Sequence, residues 1–239
     1  MKLCMFSPKG LDLDRGWPGR IDGDRVIQLA AQTLQAFFTG GGSAREHAEF
    51  LLADVELRAP VAYPPSVRVF EPGEAPSFEF RAPYPVRGPE AEVVLPRQST
   101  DMGCKPAVAA IIGADGQIGG FTLAAEWIAL DLRRSERERS LGPSKSSDFA
   151  FSLGPVVVTA DEGIPEIVTC RVGEHEHLIE VSSARAWPSL LAHAAENTAL
   201  APGDVLLGSS WLRDVASVVS GQTVEVEASE LGCLRTRLV

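Results

Sequence analysis

Frequent turn residues divide the chain into many short apolar segments, and this pattern restricts the folds it can adopt. There are 22 glycines and 17 prolines among 239 residues. After residue 65, seven segments have the length and composition of strands: 92–95, 107–112, 156–159, 167–172, 177–181, 205–207 and 223–227. Many strands in irregular order with few helical segments favour an α+β protein with a rolled mixed sheet over a regular βαβ array.

The N-terminal region has the features of a small α+β lobe. Residues 25–29 alternate in polarity like a short strand, and residues 30–38 have helical character. Ser43 and Glu46 have the spacing of a capping box, in which both side chains satisfy free amides at a helix start. This spacing predicts a second helix that runs to about Leu52.

Prolines at positions 60, 64 and 65 interrupt both helix and sheet pairing. We therefore predict an N-terminal lobe over residues 1–62 and a β-roll domain over residues 63–239. In the second region a charged stretch covers residues 130–139. A helix is predicted over residues 188–196, because Pro188 suits a first helical turn.

Charge and cysteine content exclude several classes of protein. The 22 basic and 32 acidic residues give a formal net charge of −10, which disfavours nucleic acid and anionic membrane surfaces as partners. The four cysteines are scattered without metal-binding spacing, and no apolar run reaches the length of a membrane span or signal peptide. These features predict a cytoplasmic protein with reduced cysteines.

Familiar catalytic signatures are missing from the sequence. It contains no GxGxxG, no GxxxxGK[ST] and no GxSxG pattern. Residues 174–177 read EHEH, and on a strand the two histidines would share a face, so a metal site is geometrically possible there. A solvated hairpin tip is the favoured interpretation.

A lysine loop is the most informative segment. Residues 141–155 read LGPSKSSDFAFSLGP, so Lys145 lies in a loop rich in glycine, proline and serine, just before an apolar strand. Loops positioned by a rigid sheet often carry reactive groups. From this stretch alone, a plain surface lysine is an equally good interpretation.

The stretch resembles the lysine loop of the fumarylacetoacetate hydrolase family, and the resemblance extends in order from about Ser66 to the C-terminus. Further similar segments are 65–83, 120–131, 200–205 and 231–235. The resemblance implies a β-rich roll behind a small N-terminal lobe, usually dimeric. It also implies hydrolysis of a C–C bond, decarboxylation or tautomerisation of small oxo acids, with a divalent metal held by three carboxylates.

The sequence departs from the family where that metal would be held. The family's ExE strand falls on residues 103–107, so two ligand positions become Lys105 and Ala107. The third position carries Glu126. A lysine beside a cation site repels the ion by about 4 kcal/mol per pair of unit charges at 4 Å and an effective dielectric constant of 20. We therefore expect no metal and no other cofactor, and we expect Glu126 to pair with Lys105.

Other family segments have also changed. The catalytic histidine segment is shortened between Phe70 and Phe78, and the threonine-containing turn that follows residues 200–205 becomes Ser209 and Ser210. An acid that follows the metal segment in the family is retained as Asp131.

Two hypotheses follow. In the first, the chain is a homodimeric enzyme that binds a small anionic oxo acid or β-dicarbonyl compound without a metal. Lys145, Glu126 and Asp131 are then the candidate catalytic residues. Lysine could also act as a nucleophile when its pKa is lowered.

The candidate substrate-binding residues under this hypothesis are Lys105, Arg81, Ser209 and Ser210. In the second hypothesis the protein keeps the fold but is catalytically silent, with a binding or regulatory role. The enzyme hypothesis expects Lys105, Glu126 and Lys145 to converge on an open cavity, with Lys145 close to Glu126 or Asp131. A cavity filled by the bulky side chain of Trp127 or Trp211 would favour the silent protein.

Overall fold

A large mixed sheet dominates the computed structural model, which describes residues 1–11, 13–182, 184–208 and 215–239. Within these residues thirteen strands form this sheet: β1 (Lys2–Pro8), β2 (Trp17–Asp22), β3 (Arg25–Leu29), β4 (Glu46–Leu51), β5 (Val55–Arg58), β6 (Val67–Glu71), β7 (Ser77–Arg81), β8 (Val86–Arg87), β10 (Met102–Ile112), β11 (Ile118–Ala129), β12 (Phe151–Thr159), β15 (Val205–Leu207) and β16 (Ala216–Val218). Their order is β4-β3-β2-β1-β12-β11-β10-β15-β6-β7, with β5, β8 and β16 paired to β1, β12 and β10.

A smaller sheet packs against the large one. Its order is β14-β13-β17-β18-β9, with β9 (Glu92–Val93), β13 (Ile167–Val172), β14 (His175–Glu180), β17 (Thr223–Ala228) and β18 (Gly232–Leu238). The described helices are α1 (Leu34–Thr39), α2 (Leu130–Glu138) and α3 (Trp187–Ala195). None of them is long and apolar enough to cross a membrane.

The expected α+β architecture with a β-rich mixed-sheet roll is confirmed. Most neighbouring strands are antiparallel, whereas β8 pairs with β12, β6 with β15, and β9 with β18 in parallel. All seven strands predicted from the sequence are present in the structure, and so is the helix predicted from Pro188. The EHEH segment lies at the turn between β13 and β14 and along the start of β14, as the hairpin interpretation predicts.

The first 62 residues extend the large sheet, because β1 pairs with β12 with Lys2 opposite Val158. The division into a lobe and a roll domain stays a prediction. The helix predicted from Ser43 to Leu52 is wrong, since residues 46–51 form β4 beside β3. The ring of Phe50 packs on Phe6 with centroids 5.3 Å apart, and this burial with sheet pairing outweighs the local capping pattern.

Alternate residues of β10 face two different apolar cores, and this alternation positions the candidate site. Val108 and Ala110 belong to the core that also contains residues of the small sheet. Ala107 and Ala109 belong to a second core, with Phe37 and Phe38 at α1. Because side chains alternate along a strand, Lys105 lies on the same side as Ala107.

Candidate functional site

The register of the two longest strands places Lys105 directly opposite Glu126. The residues are antiparallel partners on β10 and β11, so both side chains leave the same face of the sheet. Lys105 Nζ lies 3.9 Å from Glu126 Oε2, and each side chain is only 2% exposed. The pairing expected from the sequence is confirmed.

Arg81 holds the other oxygen of the Glu126 carboxylate. It reaches the pair from the end of β7, and its Nε and Nη2 both lie 2.6 Å from Glu126 Oε1. The Arg81 side chain is 4% exposed, so this contact is shielded from solvent. Arg81, predicted to bind substrate, is thus in contact with a predicted catalytic residue.

Three charged residues that the sequence analysis missed complete the group. Arg133 projects from α2 and contacts Glu79 of β7 at 2.5 Å and Glu71 of β6 at 3.8 Å. Glu71 also lies 4.0 Å from Lys105 Nζ. We call the following six residues the charge cluster: Glu71, Glu79, Arg81, Lys105, Glu126 and Arg133.

The charge cluster is electrically balanced, with three carboxylates and three cations, but its hydrogen bonding is not. Among the described residues, Lys105 Nζ, Arg133 Nε and Arg133 Nη1 are buried without a hydrogen-bond partner, and so is Glu126 Oε2. An ammonium carries three donors and a guanidinium five, so the unused groups are mostly donors. Buried donors without partners are costly, and a small acceptor-rich molecule would satisfy them.

Glu126 remains ionised in this environment. Burial by itself raises the pKa of its carboxyl group, but the positive charges of Arg81 and Lys105 and the hydrogen bond from Arg81 outweigh burial, so the pKa lies below its ordinary value. Glu126 therefore offers a carboxylate in which Oε1 accepts a hydrogen bond from Arg81, while Oε2 makes no hydrogen bond within the described part of the chain.

The same donor set does not suit the divalent metal that the family resemblance implies. Mg²⁺ and Ca²⁺ need several oxygen ligands, and here each oxygen of Glu126 faces a cationic side chain within 4 Å. The described residues contain no group of three or more histidine, cysteine or acidic side chains placed to bind a metal.

Asp131 lies at the start of α2 and has a visible structural role. Its carboxylate accepts hydrogen bonds from Ser99 Oγ at 2.6 Å, the Thr100 amide at 3.0 Å and the Leu132 amide at 2.8 Å. Partial burial raises the pKa of Asp131, but these hydrogen bonds outweigh it and leave the pKa below normal. The carboxylate thus ties the segment before β10 to α2, and its predicted catalytic role stays a prediction.

Lys145 does not point into the site, contrary to the expectation from sequence. Its side chain is 79% exposed, and Nζ contacts Asp148 at 2.5 Å. The loop itself is fixed from α2, because Glu136 accepts hydrogen bonds from the amides of Ser144 and Ser146. The Lys145 ammonium pairs with Asp148, three residues away, and not with Glu126 or Asp131.

The remaining predicted residues fall elsewhere. Ser209, Ser210 and the bulky Trp211 lie outside the described residues. Trp127 does not fill the cluster, because it belongs to the other core and donates its Nε1 hydrogen to Ser152 Oγ at 3.0 Å.

Comparisons with known proteins agree with this arrangement of strands. The profile of the family described as fumarylacetoacetate (FAA) hydrolase C-terminal matches residues 61–239. Human mitochondrial oxaloacetate tautomerase FAHD2B is 28% identical over 177 residues, which cover 64% of this chain and 55% of that protein. The chain spans about half the length of this protein and of similar curated relatives that it matches.

Solved structures share the fold over the whole chain. The 5-carboxymethyl-2-hydroxymuconate delta-isomerase from Mycobacterium smegmatis superposes with a TM-score of 0.77 at 19% identity, covering 100% of this chain and 99% of that one. A 2-keto-3-deoxy-D-arabinonate dehydratase complexed with magnesium and 2,5-dioxopentanoate gives 0.80 at 18% identity, covering 100% and 98%. With a profile match over residues 61–239, the chain belongs to the fumarylacetoacetate hydrolase family.

Proposed function

We propose that this protein binds a small oxo-acid anion at the charge cluster and isomerises it by proton transfer, without a divalent metal. The observation that carries the proposal is the surplus of buried, unpartnered donors on Lys105 and Arg133 beside the free oxygen of Glu126. Carboxylate and keto oxygens of an oxo acid are the acceptors that these donors lack.

The roles follow from the contacts. Glu126 Oε2 has no hydrogen-bond partner among the described residues and would take a proton from the carbon next to the keto group. Lys105 Nζ, 3.9 Å away, would donate to the oxygen on which the enolate charge develops. The proton taken up by Glu126 is then delivered to the enolate oxygen, which gives the enol, so tautomerisation needs neither water activation nor a second substrate. C–C bond hydrolysis or decarboxylation would need further groups.

The related proteins support the substrate class. The human relative is named an oxaloacetate tautomerase, and the mycobacterial structure is named an isomerase of a carboxymethyl-hydroxymuconate. Tautomerisation is the simplest of the family reactions to perform with a carboxylate and an ammonium alone.

Replacement of Lys105 by methionine tests the proposal. In buffer with excess EDTA, we expect the native protein to bind oxaloacetate calorimetrically and to accelerate its keto–enol conversion, followed by ultraviolet absorbance. Lys105→Met should weaken binding roughly 10- to 100-fold, since a charge-assisted contact contributes about 1.5–3 kcal/mol. Lys145→Ala tests the sequence-based role of the exposed lysine, and a comparable loss in that variant would assign the function to the loop instead.

A catalytically silent binding protein is the second candidate, and one observation favours it. The Lys145 side chain is 79% exposed and pairs with Asp148, so the lysine that the enzyme hypothesis placed in the site lies outside it. Binding of oxaloacetate without any acceleration of its tautomerisation would support this candidate and reject the enzyme.

We also propose a homodimer, on the family resemblance. Light scattering at micromolar concentration should give twice the chain mass of 25.5 kDa, and a value equal to that mass would reject the dimer. The cytoplasmic location and the lack of affinity for nucleic acid stay predictions from the sequence.

A further inference from the structure

Glu71 is the most weakly held carboxylate of the charge cluster. Its Oε1 lies 4.0 Å from Lys105 Nζ and 3.8 Å from Arg133 Nη2, and within the described residues these are ion-pair distances without a hydrogen bond. Glu126, by contrast, is held by Arg81 at 2.6 Å, and Glu79 by Arg133 at 2.5 Å. One carboxylate oxygen therefore lies near two buried cations without satisfying the donors of either.

Glu71 also lies on the solvent side of those cations. Its side chain is 22% exposed, against 2% for Lys105 and 5% for Arg133. It is the last residue of β6, and its register partner is Ser77, the first residue of β7. The hairpin connection begins directly after it, so the Glu71 side chain can turn toward solvent without breaking the sheet.

We infer that Glu71 is an internal stand-in for a substrate carboxylate, which the substrate replaces when it binds. Once Glu71 turns outward, the remaining cluster carries one net positive charge, which a single carboxylate neutralises. That carboxylate would satisfy Lys105 Nζ and the free Arg133 Nη1. Such an exchange favours short 2-oxo carboxylates, in which the keto group lies next to the carboxylate and reaches Glu126. The inference rests on the proposed function and names its substrate class.

Two variants of the same hairpin test the inference. Glu71→Gln keeps the shape of the side chain and removes its charge. Glu74→Gln removes the same charge from an exposed residue of the connection three positions away. With pyruvate as the probe, in calorimetric titrations with EDTA present, we expect Glu71→Gln to bind about tenfold more tightly than the native protein, the gain of one charge-assisted contact without the competing carboxylate. Glu74→Gln should bind with native affinity.

The outcomes separate the inference from the proposed function. Equal affinity of the native protein and Glu71→Gln, or an equal gain in Glu74→Gln, would overturn the stand-in role while leaving the oxo-acid site in place. No binding of pyruvate or oxaloacetate to any of the three proteins would overturn both. Adding Lys105→Met to Glu71→Gln should abolish the gain, and urea midpoints of all variants establish that the fold is retained.

Discussion

Replacing Arg81 with leucine should lower the free energy of unfolding by about 3–5 kcal/mol, the usual effect of removing one partner from a buried ion pair. The guanidinium contacts Glu126 Oε1 through two nitrogens, and both side chains are at most 4% exposed. Without Arg81, the ion pair left to the carboxylate within the described residues is the one with Lys105 at 3.9 Å, so a buried charge is left largely uncompensated. Urea unfolding at neutral pH, followed by circular dichroism, measures the change.

Arg235→Leu is the matched control for this variant. Arg235 also contacts two acidic side chains, Glu225 at 2.7 Å and Glu90 at 3.2 Å, but it is 49% exposed. Its loss should cost less than about 1 kcal/mol. The double replacement Arg81→Leu with Glu126→Leu should recover most of the stability, because it removes both buried charges together. An Arg81→Leu variant as stable as Arg235→Leu would show that the cluster does not stabilise the fold.

The native protein should not bind Mg²⁺ or Mn²⁺, whereas Lys105→Glu combined with Ala107→Glu should bind them at submillimolar concentrations. Lys105→Glu alone changes the net charge of the cluster from 0 to −2, the charge that one divalent cation cancels. Ala107 lies on the same face of β10 and supplies the second carboxylate. Three carboxylates then face the space between β10 and β11, as a hard cation requires. Calorimetric titration of both proteins measures the difference.

Ala107→Glu alone is the control for the metal experiment, because it adds a carboxylate while the repelling ammonium of Lys105 remains. We expect no binding to this single variant. Submillimolar binding of Mg²⁺ or Mn²⁺ to the native chain would contradict the metal-free proposal.

The strands were predictable from sequence because their apolar content and bounding turn residues are local properties. The pairing of Lys105 with Glu126 was also accessible, since the resemblance implied that their strands are neighbours. The capping-box prediction failed because a four-residue pattern carries no information about the contact between Phe50 and Phe6, which are 44 positions apart.

The rest of the charge cluster depends on how distant elements fold over the sheet. Glu71, Glu79 and Arg133 come from β6, β7 and α2, and nothing in their local sequence indicates that they meet. Glu79 and Arg81 are two positions apart on one strand and therefore share a face of the sheet. This spacing was the only sequence feature that linked Glu79 to a predicted site residue. Lys145 is oriented by its ion pair with Asp148, three positions along the chain, and the family resemblance did not indicate this contact.

The direct opposition of Lys105 and Glu126 also bears on how such a site can change over generations. Lys105 balances the charge of Glu126 without an ion at a position where the family resemblance implies a metal-binding glutamate. The reverse step, Lys105→Glu, places two carboxylates face to face across the strands before any ion is captured. Without an ion to cancel their charge, these two carboxylates repel each other, so a single substitution back to glutamate is unfavourable and a return to metal binding is hindered.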